Sequence, residues 1–173
     1  MPTMTEPTIT VRPIAPSDSF AALTDLLHRS YRKQVEMGLR PLAGRQTQDV
    51  TQRRCTTGEC FVAEMDRKLV GMILLQEEEE AAFPPTFLRK DVAHFSLLAV
   101  DPDIQGRGIG QRLIEAAEQR ARQRGYDHLA LSMAEPDTDL LRFYLRRGFE
   151  FAEHWHWPYT NYRSTILIKP LKG

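Results

Sequence analysis

The feature that most restricts the fold is a stretch in the second half of the chain where a short apolar run, a turn with alternating glycines and an amphipathic helix follow one another. Phe95-Ser96-Leu97-Leu98-Ala99-Val100 ends at Asp101-Pro102. A run this short, closed by a residue that proline holds extended, reads as a central strand. From Ile109 the apolar positions Ile109, Leu113, Ala117 and Ala121 recur every four residues, with Arg112, Glu115, Glu118 and Arg122 opposite and Gly125 ending the helix. The turn between them is Gln105-Gly106-Arg107-Gly108-Ile109-Gly110. Glycines there let the backbone pack closely round a ligand, while the helix start presents unpaired N–H groups and a positive dipole end. Such a turn favours a phosphate. A dinucleotide-binding turn would need glycine where Gln111 stands, and a P-loop would need Gly-Lys-Ser/Thr at its end; the chain has neither.

The remaining elements can be placed round this centre. Thr8 to Ile14 alternates polar and apolar residues, so one face lies on a core, and Pro13 suits an edge or an end. Ser17 and Asp18 offer capping oxygens to a helix carrying Phe20, Leu23, Leu26 and Leu27 as far as Tyr31. Glycine and proline interrupt any period from Gln34 to Thr57, where a short second helix is expected near Gln46 to Arg54. Phe61 to Met65 and Leu69 to Leu75 are apolar runs separated by Asp66-Arg67-Lys68, the spacing of an antiparallel hairpin. Glu77 to Glu80 and Pro84-Pro85 break the pattern; four acids in a loop read first as a solvated face, with attraction of a cationic amine as the other reading. Downstream, Leu129 to Ala134 is a strand. Asp137 caps a last helix bearing Leu141, Tyr144 and Leu145 and stopped by Gly148. Phe149 to Phe151 and Thr165 to Ile168 close the chain as a hairpin with a long connection. Seven strands and about four helices in an α/β (α+β) arrangement follow, with residues 1–173 having the length of a single domain.

Charge and cysteine content narrow the partners. The 23 basic and 23 acidic side chains cancel, leaving no overall field to draw in nucleic acid. Met1 to Thr10 is polar and carries Glu6, unlike a signal peptide, and no apolar stretch approaches the ~20 residues that span a bilayer. A cytoplasmic location with no membrane partner is the expectation. Cys55 and Cys60 are too few for a disulfide framework and lack histidines at ligand spacing, so no metal is expected and both read as ordinary thiols.

Leu97-Leu98-Ala99-Val100-Asp101-Pro102, then Gln105-Gly106-Arg107-Gly108-Ile109-Gly110, then Tyr144 followed by Arg147-Gly148-Phe149, together resemble the motifs of Gcn5-related N-acetyltransferases (GNAT), most strongly over Phe95 to Phe151. The resemblance implies the acyl-CoA N-acyltransferase fold: a mixed, mostly antiparallel sheet of about seven strands, splayed in the middle where strands part, usually at a bulge. It implies acetyl-coenzyme A as cosubstrate, with an acetyl group passing to a primary amine by direct attack in a ternary complex. The coenzyme pyrophosphate would lie on the amides of Gly106, Arg107, Gly108, Ile109, Gly110 and Gln111 behind Gln105, and the pantetheine arm would pair with Leu98, Ala99 and Val100 like an added strand. A main-chain N–H there would also face the charge developing on the thioester oxygen. Tyr144 takes the family's place for the acid that protonates the departing thiolate.

A base is also needed, since an amine with a pKa near ~10.4 arrives protonated. Some members hold a glutamate eleven positions before the Gln/Arg of the turn; here that position is His94, with Glu135 and water as competitors. Many relatives have asparagine seven positions before the tyrosine, where this chain has Asp137; an ionised carboxylate still caps a helix but cannot donate to the coenzyme. Arg107, Arg112, Arg142, Arg146 and Arg147 are placed where some would meet nucleotide phosphates. In this architecture the acceptor, a small-molecule or peptide amine, enters beside Tyr31 to Arg54 and His154 to Arg163. The aromatic density of the latter fits a binding wall, hairpin packing or a homodimer interface. Two other functions stay open: a non-catalytic acyl-CoA sensor, which would keep the glycine turn without needing Tyr144, and an interaction module that binds no coenzyme.

Overall fold

The computed structural model describes residues 7–79 and 81–171; Met1 to Glu6 of the polar start and Glu80 of the acidic run lie outside the described residues. The strands are β1 (Ile9–Pro13), β2 (Glu59–Met65), β3 (Lys68–Leu75), β4 (Val92–Val100), β5 (His128–Ala134), β6 (Glu150–Trp155) and β7 (Ser164–Pro170). The helices are α1 (Phe20–Ser30), α2 (Arg32–Glu36), α3 (Gln48–Thr57), α4 (Pro85–Leu88), α5 (Ile109–Gln123) and α6 (Thr138–Leu145), with 3-10 turns at Leu42–Gly44 and Pro102–Ile104. One sheet runs in the order β1-β2-β3-β4-β5-β7-β6. Its pairs are antiparallel except β4 with β5, which are parallel and joined through α5. No helix among the described residues is long and apolar enough to cross a membrane.

The seven strands match the sequence pattern, whereas the expected four helices become six among the described residues. The additions, α2 and α4, are single turns of 5 and 4 residues, too short to display a 3.6-residue period. The cap of α1 is Ser19, whose Oγ accepts from the Ala22 amide at 3.1 Å, and neither Ser17 nor Asp18 serves. Asp18 instead holds Arg12 at 2.8 Å. The β2–β3 turn puts Asp66 and Arg67 at φ 52° and 63°, the left-handed pair that suits the twist of a two-residue hairpin.

The two faces of the sheet carry separate cores. One packs Ile73, Leu75, Ala93, Phe95 and Leu131 against Ile109, Leu113, Ala117 and Ala121 of α5 and Tyr144 of α6. The other packs Val62, Met72, Leu74, Leu97 and Ala99 against Leu23, Leu26 and Leu27 of α1 and Cys55 of α3. Burying each such aliphatic side chain contributes roughly 1.5–3 kcal/mol. Glu118, read as solvent-facing, is buried and held by Lys169 Nζ at 2.6 Å, while Leu145, read as apolar face, is 47% exposed.

Contact between α5 and β3 depends on Gly71, where an added Cβ would stand 2.9 Å from Leu113 Cδ1 and 3.1 Å from the Ala99 carbonyl oxygen. Gly71→Ala should therefore cost about 1–3 kcal/mol of stability through overpacking. Urea unfolding would show this as a lower midpoint at constant slope. An unchanged midpoint would mean that α5 can lift from the sheet freely.

Candidate active site

β4 begins as an ordinary strand and changes character at Leu97, which has φ 53°. The register with β3 slips there: Leu74 faces Ser96 but Met72 faces Ala99, so β4 carries an extra residue. A β-bulge of this kind turns every later side chain to the opposite face. Phe95 accordingly joins the α5-side core, whereas Leu97 and Ala99 join the α1-side core. Leu98 and Val100 are turned toward α5. Pairing of β4 with β5 stops at the same place, covering Val92 to Phe95 against His128 to Leu131.

Past the divergence, the β4 main chain meets side chains of the α1 end. The Tyr31 hydroxyl donates to the Leu98 carbonyl at 3.3 Å, and Val100 N–H donates to Ser30 Oγ at 3.4 Å. Both contacts are long.

Two cavities adjoin the gap. The larger, about 480 Å³, lies at the mouth of α5 and takes in Gln105, Gly106, Gly108, Ile109, Gly110 and Gln111. Gly106 and Gly108 stand at φ +86° and +73°, a conformation that glycine reaches without strain, and Gly108 begins the helix. The first amides of α5 have no intrahelical partner and face the cavity with the positive dipole end. Leu98, Val100, Asp137 and Tyr144 complete the wall toward the sheet. Of the residues the resemblance implies for the coenzyme, two are missing from this wall. The Ala99 side chain is turned away by the bulge, and the Arg107 side chain is exposed at the turn.

The second cavity, about 130 Å³, lies between the end of α1, the β6–β7 connection and the parallel part of the sheet. His94 and Ser96 of β4, Arg54 of α3, Glu77 and Glu79 face it, with Phe83, Phe87, Trp157 and Tyr159 among its rings. Tyr31, Gln34, Leu98, Leu140 and Tyr144 belong to both cavities. Of the aromatic segment His154 to Arg163, the residues that reach this cavity are Trp157, Tyr159, Thr160 and Tyr162.

The charged and titratable groups here are either paired or kept neutral. Glu77 is buried rather than solvated: Arg54 Nε and Nη2 each reach one of its oxygens at 2.7 Å, and Ser96 Oγ donates to it as well. His94 is 4% exposed and its ring stacks on Phe87 with centroids 4.5 Å apart. Burial pushes its pKa down to about 4, against a smaller opposing pull from Glu77. Tyr144, also 4% exposed, lies well above an ordinary phenol, first through burial and then through Tyr31 and Asp137. Glu135 is exposed, joins Arg163 at 2.6 and 2.7 Å, and faces neither cavity. Of the five arginines weighed for phosphates, Arg147 lines the larger cavity, its guanidinium 3.5 Å above the Phe143 ring. Arg112 is taken by the Ile9 carbonyl and Arg142 by Asp139.

Sequence reasoning missed the Arg54–Glu77 pair and the Phe83–Phe87 wall. Pro85 at the first position of α4, with phenylalanines four apart across it, was the available signal for the second.

Comparison with known proteins agrees with this geometry. The model of the acetyltransferase (GNAT) family matches residues 20–149. The chain belongs to that family, and on that ground is an acyltransferase. An uncharacterized N-acetyltransferase of Methanocaldococcus jannaschii is 33% identical over 93 residues, 54% of this chain; the match spans 39% of that relative's length. A ribosomal protein bS18-alanine N-acetyltransferase of Escherichia coli is 28% identical over 113 residues, 64% of this chain and 76% of that one. In fold, the chain is similar to a GNAT family acetyltransferase from Elizabethkingia anophelis with acetyl-CoA bound, at 18% identity and a TM-score of 0.65 over 94% of this chain and 97% of that one.

A buried neutral histidine makes stability depend on pH. With a folded pKa of about 4 against 6.5 unfolded, His94 contributes stability that is complete above pH 6.5 and is lost as pH falls through 6.5 toward 4. The full loss is on the order of 3 kcal/mol. His94→Phe should flatten this part of the stability profile, measured by urea unfolding at pH 7, 5.5 and 4.5. Parallel profiles for the two proteins would mean that the imidazole titrates normally when folded.

Proposed function

We propose that the chain, acting as one domain over residues 1–173, transfers an acetyl group from acetyl-coenzyme A to a primary amine by direct attack within a ternary complex. The observation that carries this reading is the position of Tyr144, in the wall shared by an anion-favouring cavity and a cavity lined with acids and rings.

The larger cavity fits the coenzyme by its donor set. Main-chain amides from Gly106 to Gln111 would hold the diphosphate, and the β4 main chain at Leu98 to Val100 would take the pantetheine arm in place of the long contacts from Tyr31 and Ser30. Ala99 and Arg107 contribute main chain alone. When bound, the coenzyme supplies an acetyl thioester; amine and thioester become amide and free thiol, and the proton shed by the amine balances the one gained by sulfur.

Tyr144 keeps its proton throughout the neutral range because burial disfavours the phenolate. Full transfer to a thiolate of pKa about 8.5 is uphill, so the hydroxyl acts first as a hydrogen-bond donor at the leaving sulfur. His94 stays neutral and presents a lone pair to the amine, directly or through water. Burial disfavours the charge on the amine, while the carboxylates of Glu77 and Glu79 favour it.

Tyr144→Phe should lower kcat about 10–100-fold while coenzyme affinity changes less than threefold, because the hydroxyl acts mainly on the leaving group. Calorimetric titration with acetyl-coenzyme A and steady-state thiol release separate the two effects, and unchanged turnover would remove Tyr144 as the donor. In the wild type, acetyl-coenzyme A at 100 times its dissociation constant should add about 2.7 kcal/mol to stability. Binding of that kind without turnover on any amine would mark a sensor.

Since His94 is already neutral above pH 5, kcat/KM should rise with pH along the ionisation of the amine alone. An inflection between pH 6 and 7 that vanishes in His94→Asn would contradict this.

A further inference from the structure

Resting on that reading, we infer that Ser30 and Tyr31 cap the opened edge of β4 in the coenzyme-free protein, and that the pantetheine arm binds only by displacing them. Coenzyme affinity is then set by competition with two side chains at the end of α1.

The direction of the β4 main chain decides which groups need a cap. Asp101 N–H donates to the Val70 carbonyl at 2.8 Å, so that residue faces β3. Main-chain groups change sides with each residue, which turns those of Val100, and of Leu98 two before it, toward the opposite edge. Pairing with β5 covers that edge only as far as Phe95. Main-chain groups left between packed elements must find other partners.

Ser30 and Tyr31 supply them in the pattern of the missing strand. Val100 N–H finds an acceptor in Ser30 Oγ, and the Leu98 carbonyl finds a donor in the Tyr31 hydroxyl. One donor and one acceptor, on consecutive residues, match what a single residue of a parallel strand gives to the positions on either side of Ala99. β5 runs parallel to β4, so the two side chains replace the hydrogen bonds that its continuation would have made. Burial pushes the Tyr31 pKa up to about 12, ahead of the smaller effects of Arg54 and Glu77, and the hydroxyl keeps the proton it donates.

The cap is weak enough to give way. Its contacts are 3.3 and 3.4 Å long. Val100 has a single N–H, which cannot serve Ser30 and a ligand carbonyl together. Tyr31 is half-buried at the break between α1 and α2, and its ring belongs to the walls of both cavities, where an incoming arm meets it. Beyond the break, Gln34 Nε2 donates to Asp137 at 3.0 Å and Lys33 Nζ reaches Asp139 at 3.0 Å. These contacts anchor α2 on α6, so the arm displaces two side chains and not the helix.

Calorimetric titration of the intact protein with coenzyme A tests the cap. Since each contact is weak, Ser30→Ala and Tyr31→Phe should each tighten binding about 3-fold, and the double variant about 10-fold. The nucleotide half of coenzyme A (3′-phospho-ADP), which has no pantetheine arm, should bind wild type and variants alike. Urea unfolding closes the cycle: each variant should lose from its folding constant in the free state the factor that it gains in affinity, and the deficit should vanish at saturating coenzyme A. A residue that only supports the fold would leave the deficit in place. Weaker or unchanged binding of coenzyme A, an equal gain for the nucleotide half, or a deficit that survives saturation would overturn the cap.

Failure of acetyl transfer is distinguishable from failure of the cap. If the variants bind coenzyme A more tightly but no amine accepts acetyl, the cap stands and the transfer does not. If the double variant binds coenzyme A and the wild type does not, the cap stands as a closed one. If neither binds, cap and coenzyme site are both overturned.

Discussion

Everything functional in this molecule follows from one irregularity, the extra residue that β4 accommodates at Leu97. A leucine at φ 53° costs on the order of 1–3 kcal/mol, and the surrounding structure must hold it there. It does so by burying Leu97 against α1 and α3. The consequence is threefold. Side chains beyond the bulge exchange faces, pairing with β5 ends, and the β4 main chain meets Tyr31 and Ser30 at contacts long enough for a ligand to replace them. Without the bulge β4 and β5 could remain paired along their length, and the two cavities would have no place to meet.

The second organising constraint is electrostatic. A site between packed helices and a sheet excludes water, so each ionisable group in it must be neutral or matched. Tyr144 and His94 are neutral through burial, one held protonated and the other held unprotonated. Arg54 and Glu77 are matched to each other. The same desolvation makes Tyr144 a weak acid and His94 a weak base; in the proposed reaction they would serve as fixed donor and acceptor, a form of pre-organisation worth more in a dry site than in water.

Much of this was legible in the chain, and what was not had a definite physical reason. The glycine turn, α5 and the strand before it are visible because short-range periods and glycine chemistry are local properties. Tyr144 and His94 came from the spacing of the motif, and both face the second cavity. A bulge was expected only through the family resemblance, and its place at Leu97 left no trace in the residues, because leucine in a left-handed conformation is chosen by tertiary packing and not by local preference. Ala99 consequently packs its side chain on the α1 side and leaves only its main chain for the expected coenzyme contact. Glu77 looked like the first of four solvated acids, since its partner Arg54 lies 23 residues earlier on a different element. Long-range pairing of that kind has no period to reveal it.

Asp137 shows how the fold absorbs a departure from a family pattern. An ionised carboxylate cannot donate, so a site that offered it only acceptors would be strained. Here both oxygens face donors: Oδ1 accepts from the Leu140 amide at 3.2 Å and caps α6, and Oδ2 accepts from Gln34 Nε2 at 3.0 Å. Gln34 can reach it because the helical run breaks at Tyr31, whose φ of −89° and ψ of 3° separate α1 from α2. That break also points the Tyr31 hydroxyl at Leu98. One interruption thus ties the start of α6 and the opened part of β4 to the same helix end, so that the wall between the two cavities is fixed by residues distant in sequence and close in chemistry.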